Sequence, residues 1–506
     1  MERKWWTLLA VCVAIFMLLL DITIVNVALP AIERSLNASF SDLQWVVDAY
    51  ALALATCTLT AGSVADLFGR KRVFVTGIVI FTAASALCGA ANDPLFLILA
   101  RALQGIGGAI MFSTSLALLS QEFHGRERGT AFGIWGATVG AAVAIGPLVG
   151  GMLTSWLSWR WIFLVNIPIG VAAVAGSVAR LRESSDPEQG RIDPIGLATL
   201  TGGVFCLVLA LIEGNRHGWT SAYIVTLFAV AVLALAAFLV LQVRNPHPMI
   251  DLALFRKPAF TGAQIAAFAI SASMFSMFLY LTLYLQNILG YSPLQAGLRF
   301  LLVSALAFVA APVAGKLSAQ APVRLLLFAG LALVATGLGL MTGLSPASRW
   351  TALIPGFIVG GIGIGLTNPP LASTAISTVR QERAGTASGI NNTFRQVGIA
   401  TGIAALGAVF QHQVTAKVVR ALHGVPRAHD LARSVASGNV QHALGTVPPD
   451  VRMRLAEASR AAFVSGLNDI LWIGCAVAAA GAVLALVLIR PRDFVASGQT
   501  KAAGAG

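Results

Sequence analysis

Asp21 stands inside an apolar stretch, in the run Leu20-Asp21-Ile22-Thr23-Ile24-Val25-Asn26-Val27-Ala28-Leu29-Pro30. A carboxylate at bilayer depth costs roughly 2.5–3.5 kcal/mol on an insertion scale, so it is expected to face a bundle interior or a wet cavity. Taking up a proton removes the charge, and with it the desolvation penalty. Asp21 is therefore the leading candidate for a proton-coupling group. The competing reading is a packing carboxylate satisfied by a neighbour. A matching cation, Arg101, lies in Leu99-Ala100-Arg101-Ala102-Leu103-Gln104-Gly105-Ile106-Gly107. Asp21 is eight residues before the end of its apolar stretch at Leu29, and Arg101 seven after the start of its own at Pro94. At about 1.5 Å per residue both sit roughly 10–12 Å below the same surface, so the two can pair. Burial then favours the neutral acid and the guanidinium favours the ionised one, a balance that shifts as a cavity opens or closes. An arginine satisfied by backbone carbonyls is the alternative.

A second constellation is Gly62-Ser63-Val64-Ala65-Asp66-Leu67-Phe68-Gly69-Arg70-Lys71-Arg72. Asp66 and Arg70 are four apart and can pair along a helix. Gly62 lets another helix approach, and Gly69 permits a tight reversal. An ion pair at the rim of a helix interface can latch one conformation, although the basic turn also serves topology. A third is Gly140 followed by Gly146-Pro147-Leu148-Val149-Gly150-Gly151, where proline removes a backbone donor and kinks a helix. Ordinary packing of a kinked helix is the competing reading there. Asp48, with Trp45 one turn earlier, suits a cationic substrate or the proton path, or else is a solvated carboxylate. Glu213 is expected to be solvated. In Asn391-Asn392-Thr393-Phe394-Arg395-Gln396, Asn391, Asn392 and Arg395 are spaced to share a helix face; a stabilising network is the leading reading and substrate contact the second. Asn26, Gln104 and Tyr284 complete the candidate substrate cavity. Met274, Phe275, Met277, Phe278 and Tyr280 suit its pliable wall, or equally a lipid-facing surface.

These residues need membrane helices to hold them. The 506-residue chain is 57% hydrophobic and 11% charged, against about 25% charged in soluble domains. Fourteen stretches are long enough to cross a bilayer as helices, the first being Trp5–Leu29 and the last Leu467–Ile489. With the N-terminus inside, twenty of the 34 basic residues fall on inner segments and four (Arg34, Arg160, Arg216, Arg349) in short outer loops. That asymmetry puts both termini in the cytoplasm and explains the net charge of +13 without nucleic acid. Five cysteines without paired spacing suggest neither disulfides nor a metal site.

A shift of 256 positions maps Gly105-Ile106-Gly107 onto Gly361-Ile362-Gly363, and Gly129-Thr130-Ala131 onto Gly385-Thr386-Ala387. Gly146 falls on Gly402. Parallel repeats of six helices mark secondary transporters. The expected organisation is an all-α integral membrane protein. A six-helix bundle spans residues 1–181, linkers and inserted helices seven and eight span 182–258, and a second six-helix bundle spans 259–490. The latter carries a long outer loop over 411–465, and a cytoplasmic tail covers 491–506. At the same shift Asp21 falls on Met277, and the turn Gly315-Lys316-Leu317-Ser318 lacks an acid, so proton chemistry is expected in the first bundle.

Taken together, the run around Asp21, the Gly62–Arg72 turn, Arg101–Gly105, Gly146–Gly151, Trp159–Pro168 and Gly290-Tyr291-Ser292-Pro293 resemble the fourteen-helix drug:proton antiporter branch of the major facilitator superfamily. The resemblance implies proton coupling at Asp21 and Arg101, gating at Gly62, Asp66, Gly69 and Arg70, and an exporter-type interface at Gly140, Gly146, Pro147 and Gly150. It implies efflux of amphipathic, often cationic, small molecules across the cytoplasmic membrane, driven by the proton gradient without a cofactor, and it does not fix the substrate. A dedicated exporter of one metabolite, lipid precursor or siderophore is the alternative. The expected partners are a small-molecule substrate and the lipid bilayer. A monomer is expected, with a partner in an outer envelope left open. No H-E-x-x-H, G-x-S-x-G or G-x-x-x-x-G-K-[ST] pattern occurs, so an enzyme or ATP-driven pump lacks its signature.

Overall fold

A computed structural model describes residues 2–185, 193–245, 248–318, 320–423, 428, 431–432, 435 and 447–490. Among these, every regular element is a helix. α1 (Arg3–Leu36), α2 (Phe40–Phe68), α3 (Arg70–Ala90), α4 (Pro94–Glu122) and α5 (Gly125–Trp156) follow each other through short turns. α6 (Trp161–Leu164) and α7 (Asn166–Arg180) form one nearly continuous path, and α8 (Pro194–His217) and α9 (Ala222–Arg244) form a hairpin. The rest comprises α10 (Pro258–Ile270), α11 (Ser276–Leu283), α12 (Pro293–Leu317), α13 (Val323–Leu340), α14 (Ile354–Ser377), α15 (Ala384–Ala421) and α16 (Pro449–Leu488). Thirteen paths among the described residues are long and apolar enough to cross a membrane; α5 is a further helix of 32 residues.

The chain punctuates these helices where its chemistry demands. Ser39 and Asp42 form a capping box at the start of α2, and Ser292 and Gln295 do so at α12. Asp93, Asp193 and Ser221 accept first-turn N–H bonds of α4, α8 and α9. Between α10 and α11 the backbone widens into a π-turn at Ser271–Phe275, with another at Tyr284–Ile288; such turns are inserted irregularities often found at functional positions.

Several helices outrun the expected spans. α1 continues through Pro30. The described residues of the outer loop expected over 411–465 are largely helix, because α15 extends to Ala421 and α16 begins at Pro449. Polar residues such as Lys417, Arg452 and Arg454 hide this continuation from a hydropathy reading, since a helix leaving the apolar zone keeps its hydrogen bonds while changing composition. Most of 424–446, the tail 491–506 and part of the 182–193 linker lie outside the described residues.

The apolar core is divided. One large cluster draws wholly on residues from Ala259 to Ile489. The others draw mainly on residues before 261, with Ala372–Ile390 joining from α14 and α15. The glycines related by the 256-residue shift make corresponding contacts. Gly105 of α4 abuts the Tyr50 carbonyl of α2, while Gly361 of α14 abuts the Val303 carbonyl of α12.

Candidate functional site

Polar groups in this apolar frame gather in four places. In the first half, Asp21 is 1% exposed and forms an ion pair with Arg101, itself 1% exposed. α1 supplies the acid and α4 the base. Gln104, one turn beyond Arg101, donates from Nε2 to Asp21 Oδ1 at 2.9 Å and accepts from Arg101 Nη1 at 2.8 Å. Arg101 Nε donates to the Val46 carbonyl at 3.1 Å, and its guanidinium lies 4.2 Å from the Tyr50 ring centroid. Asn166 of α7 and Ser85 of α3 close the group. Asn166 Nδ2 donates to Ser85 Oγ at 3.0 Å and to Asp21 Oδ1 at 3.4 Å. Ser85 Oγ donates to the Phe163 carbonyl at 2.9 Å. A buried pair survives only with such supplementary hydrogen bonds, since two charges leaving water lose several kcal/mol each.

The pairing of Asp21 and Arg101 matches the depth argument. Gln104, expected in a substrate cavity, joins this cluster from one turn beyond Arg101. Ser85, Asn166 and Tyr50 were not singled out from sequence. An isolated amide or hydroxyl in an apolar helix is too common to point anywhere without knowledge of which faces meet.

The second place is the turn between α2 and α3. Arg70 Nε donates to Asp66 Oδ1 at 2.9 Å, with both side chains buried. Asp66 also receives the Gly385 N–H at 2.9 Å and the Thr386 N–H at 2.6 Å, so it caps the first turn of α15. Free N–H groups and the positive helix end favour a carboxylate there. Arg70 Nη2 reaches the Gln381 and Glu382 carbonyls at 2.6 Å each. Gly62 is required for this closeness: a Cβ there would strike the Gly385 carbonyl oxygen. Gly69 has φ +107°, and Glu183 lies against it, accepting the N–H groups of Lys71 and Arg72. The acid at position 66 thus joins the two halves of the chain.

α5 lies between the halves. Its Gly146 and Gly150 meet Thr23 and Ile24 of α1, whereas Gly140 faces Ser304 and Ala307 of α12. Pro147 falls within α5, and its side chain lies outside the described residues.

The third place is the α8–α9 end. Arg216 bridges Asp48 of α2 at 2.8 Å and Glu213 at 2.5 Å, and His217 Nδ1 lies 3.0 Å from Glu213 Oε2. Glu213 is 3% exposed, which corrects the expectation of a solvated carboxylate; Arg216, one turn away, makes its burial tolerable. Asp48 is likewise an ion-pair partner. Asn215 Nδ2 donates to the Ala404 carbonyl of α15 at 3.2 Å, and Trp219 Nε1 donates to Asn215 Oδ1 at 3.0 Å. Trp45 packs at the edge of the first core, and exposed Asn26 bonds back to its own helix at the Ile22 carbonyl.

In the second half, Arg395 donates from Nη2 to Asn368 Oδ1 at 2.7 Å, and Asn391 Nδ2 to Gln264 Oε1 at 3.1 Å. Tyr284, expected in a substrate cavity, is buried in the second core and donates from its hydroxyl to the Ser348 carbonyl at 3.3 Å. Met274, Met277 and Tyr280 are buried in the same core, while Phe275 and Phe278 line a cavity with Val139 and Gly140 of α5 and Asn368 of α14.

Among the described residues no group of three or more His, Cys, Asp or Glu is placed to hold a metal ion. The Major Facilitator Superfamily model matches residues 11–403. The puromycin resistance protein of Streptomyces alboniger is 38% identical, over 80% of this chain and 82% of that protein. The tetracenomycin C resistance and export protein of Streptomyces glaucescens is 33% identical, over 96% of this chain and 91% of that protein. Among solved structures, a major-facilitator proton:xylose symporter bound to 6-bromo-6-deoxy-D-glucose superposes with a TM-score of 0.61, over 96% of each chain at 12% identity. From the family match over most of its length and these relatives, the chain belongs to the major facilitator superfamily of multi-pass membrane transporters.

Proposed function

We propose that this transporter exports drugs or other amphipathic small molecules across the cytoplasmic membrane in exchange for protons, by alternating access. The observation that carries the proposal is the Asp21 carboxylate, buried against Arg101 in an apolar frame. Relatives named for antibiotic resistance and export support the efflux direction. In this reading α5 completes fourteen spans, both termini are cytoplasmic, and two six-helix bundles flank the inserted α8–α9 hairpin.

A proton arriving from outside neutralises Asp21 and weakens its hold on Arg101. The buried arginine then turns to Gln104, the Val46 carbonyl and the Tyr50 ring, so the helices carrying these groups shift together. Deprotonation toward the cytoplasm restores the pair. Asp66 and Arg70 tie the inner ends of α2 and α15, so the structure is read as the form closed to the cytoplasm. Opening that end separates Asp66 from the Gly385 and Thr386 N–H groups. Gly140, Gly146 and Gly150 give α5 smooth faces toward both halves. Asn391 and Arg395 belong to the substrate path.

The test is transport in everted vesicles. Asp21→Asn is expected to abolish efflux driven by a pH gradient while leaving exchange of labelled for unlabelled substrate. Full gradient-driven transport by Asp21→Asn would sink the coupling role.

A further inference from the structure

Among the described residues Arg70, Arg101 and Arg395 are buried, and the two that lie deep within helices, Arg101 and Arg395, keep different company. Arg101 faces a carboxylate, whereas Arg395, 7% exposed, has only the neutral Asn368 amide oxygen at 2.7 Å. Its Nε is buried without a hydrogen-bond partner, and among the described residues no acid lies within ion-pair distance. An uncompensated charge in such surroundings costs several kcal/mol. Packing alone is poorly served by it, because a leucine or methionine fills similar volume without that penalty.

Its position is telling. Along one face of α15, Gly385 and Gly389 abut α2, and Asn392 Nδ2 donates to the Phe112 carbonyl of α4 at 3.2 Å. Arg395 follows Asn392 by three residues, so it continues the face turned toward the other half of the molecule. Eleven residues separate it from the start of α15 at Ala384, roughly 16 Å along the axis and near the bilayer midplane. Asn368, its one partner, also lines the cavity between the halves, where Phe275, Phe278, Val303, Ile364 and Val139 form apolar walls.

Resting on the efflux reading, we infer that Arg395 anchors the acidic group of the transported molecule, and that the substrate class is amphipathic organic monoanions. A guanidinium presents donors in a planar fork matched to a carboxylate. Arg395 commits one to Asn368, leaving Nε for the ligand; the cavity beside Asn368 holds about 20 Å³ in this form, so the Phe275–Phe278 wall takes an aromatic or aliphatic body once the halves part. The same carboxylate supplies the counter-charge that the protein omits. A cationic ligand would place like charges together in a site without a nearby acid. Asn392 Oδ1, also buried without a donor, offers an acceptor for a hydroxyl beside the acid.

The test uses purified full-length protein in nanodiscs and three probes sharing one ring system: pyrenebutyrate, its methyl ester, and pyrenebutyl-trimethylammonium. Fluorescence anisotropy reads binding, and thermal melting checks each variant. Wild type is expected to bind the acid about tenfold more tightly than the ester or the cation. Arg395→Gln abolishes that preference by weakening the acid alone, and Arg395→Lys keeps part of it because charge survives without the fork. No preference in wild type, or equal weakening of all three probes by Arg395→Gln, overturns the inference. Should Arg395→Gln fail to fold, Arg395→Lys decides: loss confined to the acid supports the anchor, and uniform loss refutes it. Gradient-driven efflux of ester and acid alike would refute the anion class and leave the efflux reading standing. Selective binding without gradient-driven efflux would do the reverse.

Discussion

The two halves of the molecule treat a buried arginine in opposite ways. In the first, Arg101 is matched by Asp21 and held further by Gln104, the Val46 carbonyl and the Tyr50 ring. In the second, Arg395 is held by one neutral amide. The same contrast appears where the halves meet. Gly62 abuts Gly385 beneath an acid that caps α15, whereas Gly129 abuts Gly315 beside a turn with no acid. Similar helix geometry thus carries different electrostatics. A duplicated frame needs to keep its close contacts in both copies to pack, but its buried charges need not be repeated.

Replacing each arginine in turn separates these cases most widely. Arg101→Ala leaves Asp21 buried alone and is expected to destabilise the protein by about 3–5 kcal/mol, read as a lowered melting temperature. The double variant Asp21→Asn/Arg101→Gln should recover much of that, because the two effects are coupled. Arg395→Gln removes an uncompensated charge without orphaning another and should leave stability unchanged or raise it by up to a few kcal/mol. If it destabilises as much as Arg101→Ala, the asymmetry is only apparent.

A smaller contrast sits at the seams. Asp66→Asn loses the ion pair and weakens the cap on α15, so transport is expected to fall roughly tenfold. Lys316→Gln, at the corresponding exposed turn, should change it less than about twofold. Equal losses would mean the acid adds nothing beyond the turn itself.

The smallest effect belongs to the linker between the halves. Burial acts to raise the Asp193 carboxyl, but the Gly196 N–H and the Asn245 and Gln242 amides outweigh it and hold the group below its ordinary value. Its contribution to stability is therefore complete above the unfolded value near about 3.9 and lost as pH falls through the lower folded value. Melting curves between about pH 5 and 2 should show a slight acid-dependent loss that Asp193→Asn diminishes. An identical acid profile in that variant would remove Asp193 from the account.

Sequence reading went furthest where spacing carried geometry. Depth brought Asp21 to Arg101, four-residue spacing brought Asp66 to Arg70, and one offset exposed the repeated glycine contacts. It fell short where a second element decides. Nothing in Thr386 or Gly385 announces that their N–H groups end on Asp66, a partner about 320 residues away. Glu213 looked solvated because Arg216 could have pointed anywhere. The extensions of α15 and α16 escaped because hydropathy measures the solvent and not the backbone.

The α8–α9 hairpin is moored on both banks: Arg216 holds Asp48 of α2, and the neighbouring Asn215 holds a carbonyl of α15. If those banks draw apart during a cycle, at least one rope must slip. The ionic one ends on Asp48 alone, because Arg216 and Glu213 share one helix and His217 also faces Glu213. Parting at that rim therefore strips Asp48 of its cation and leaves Glu213 with both of its neighbours.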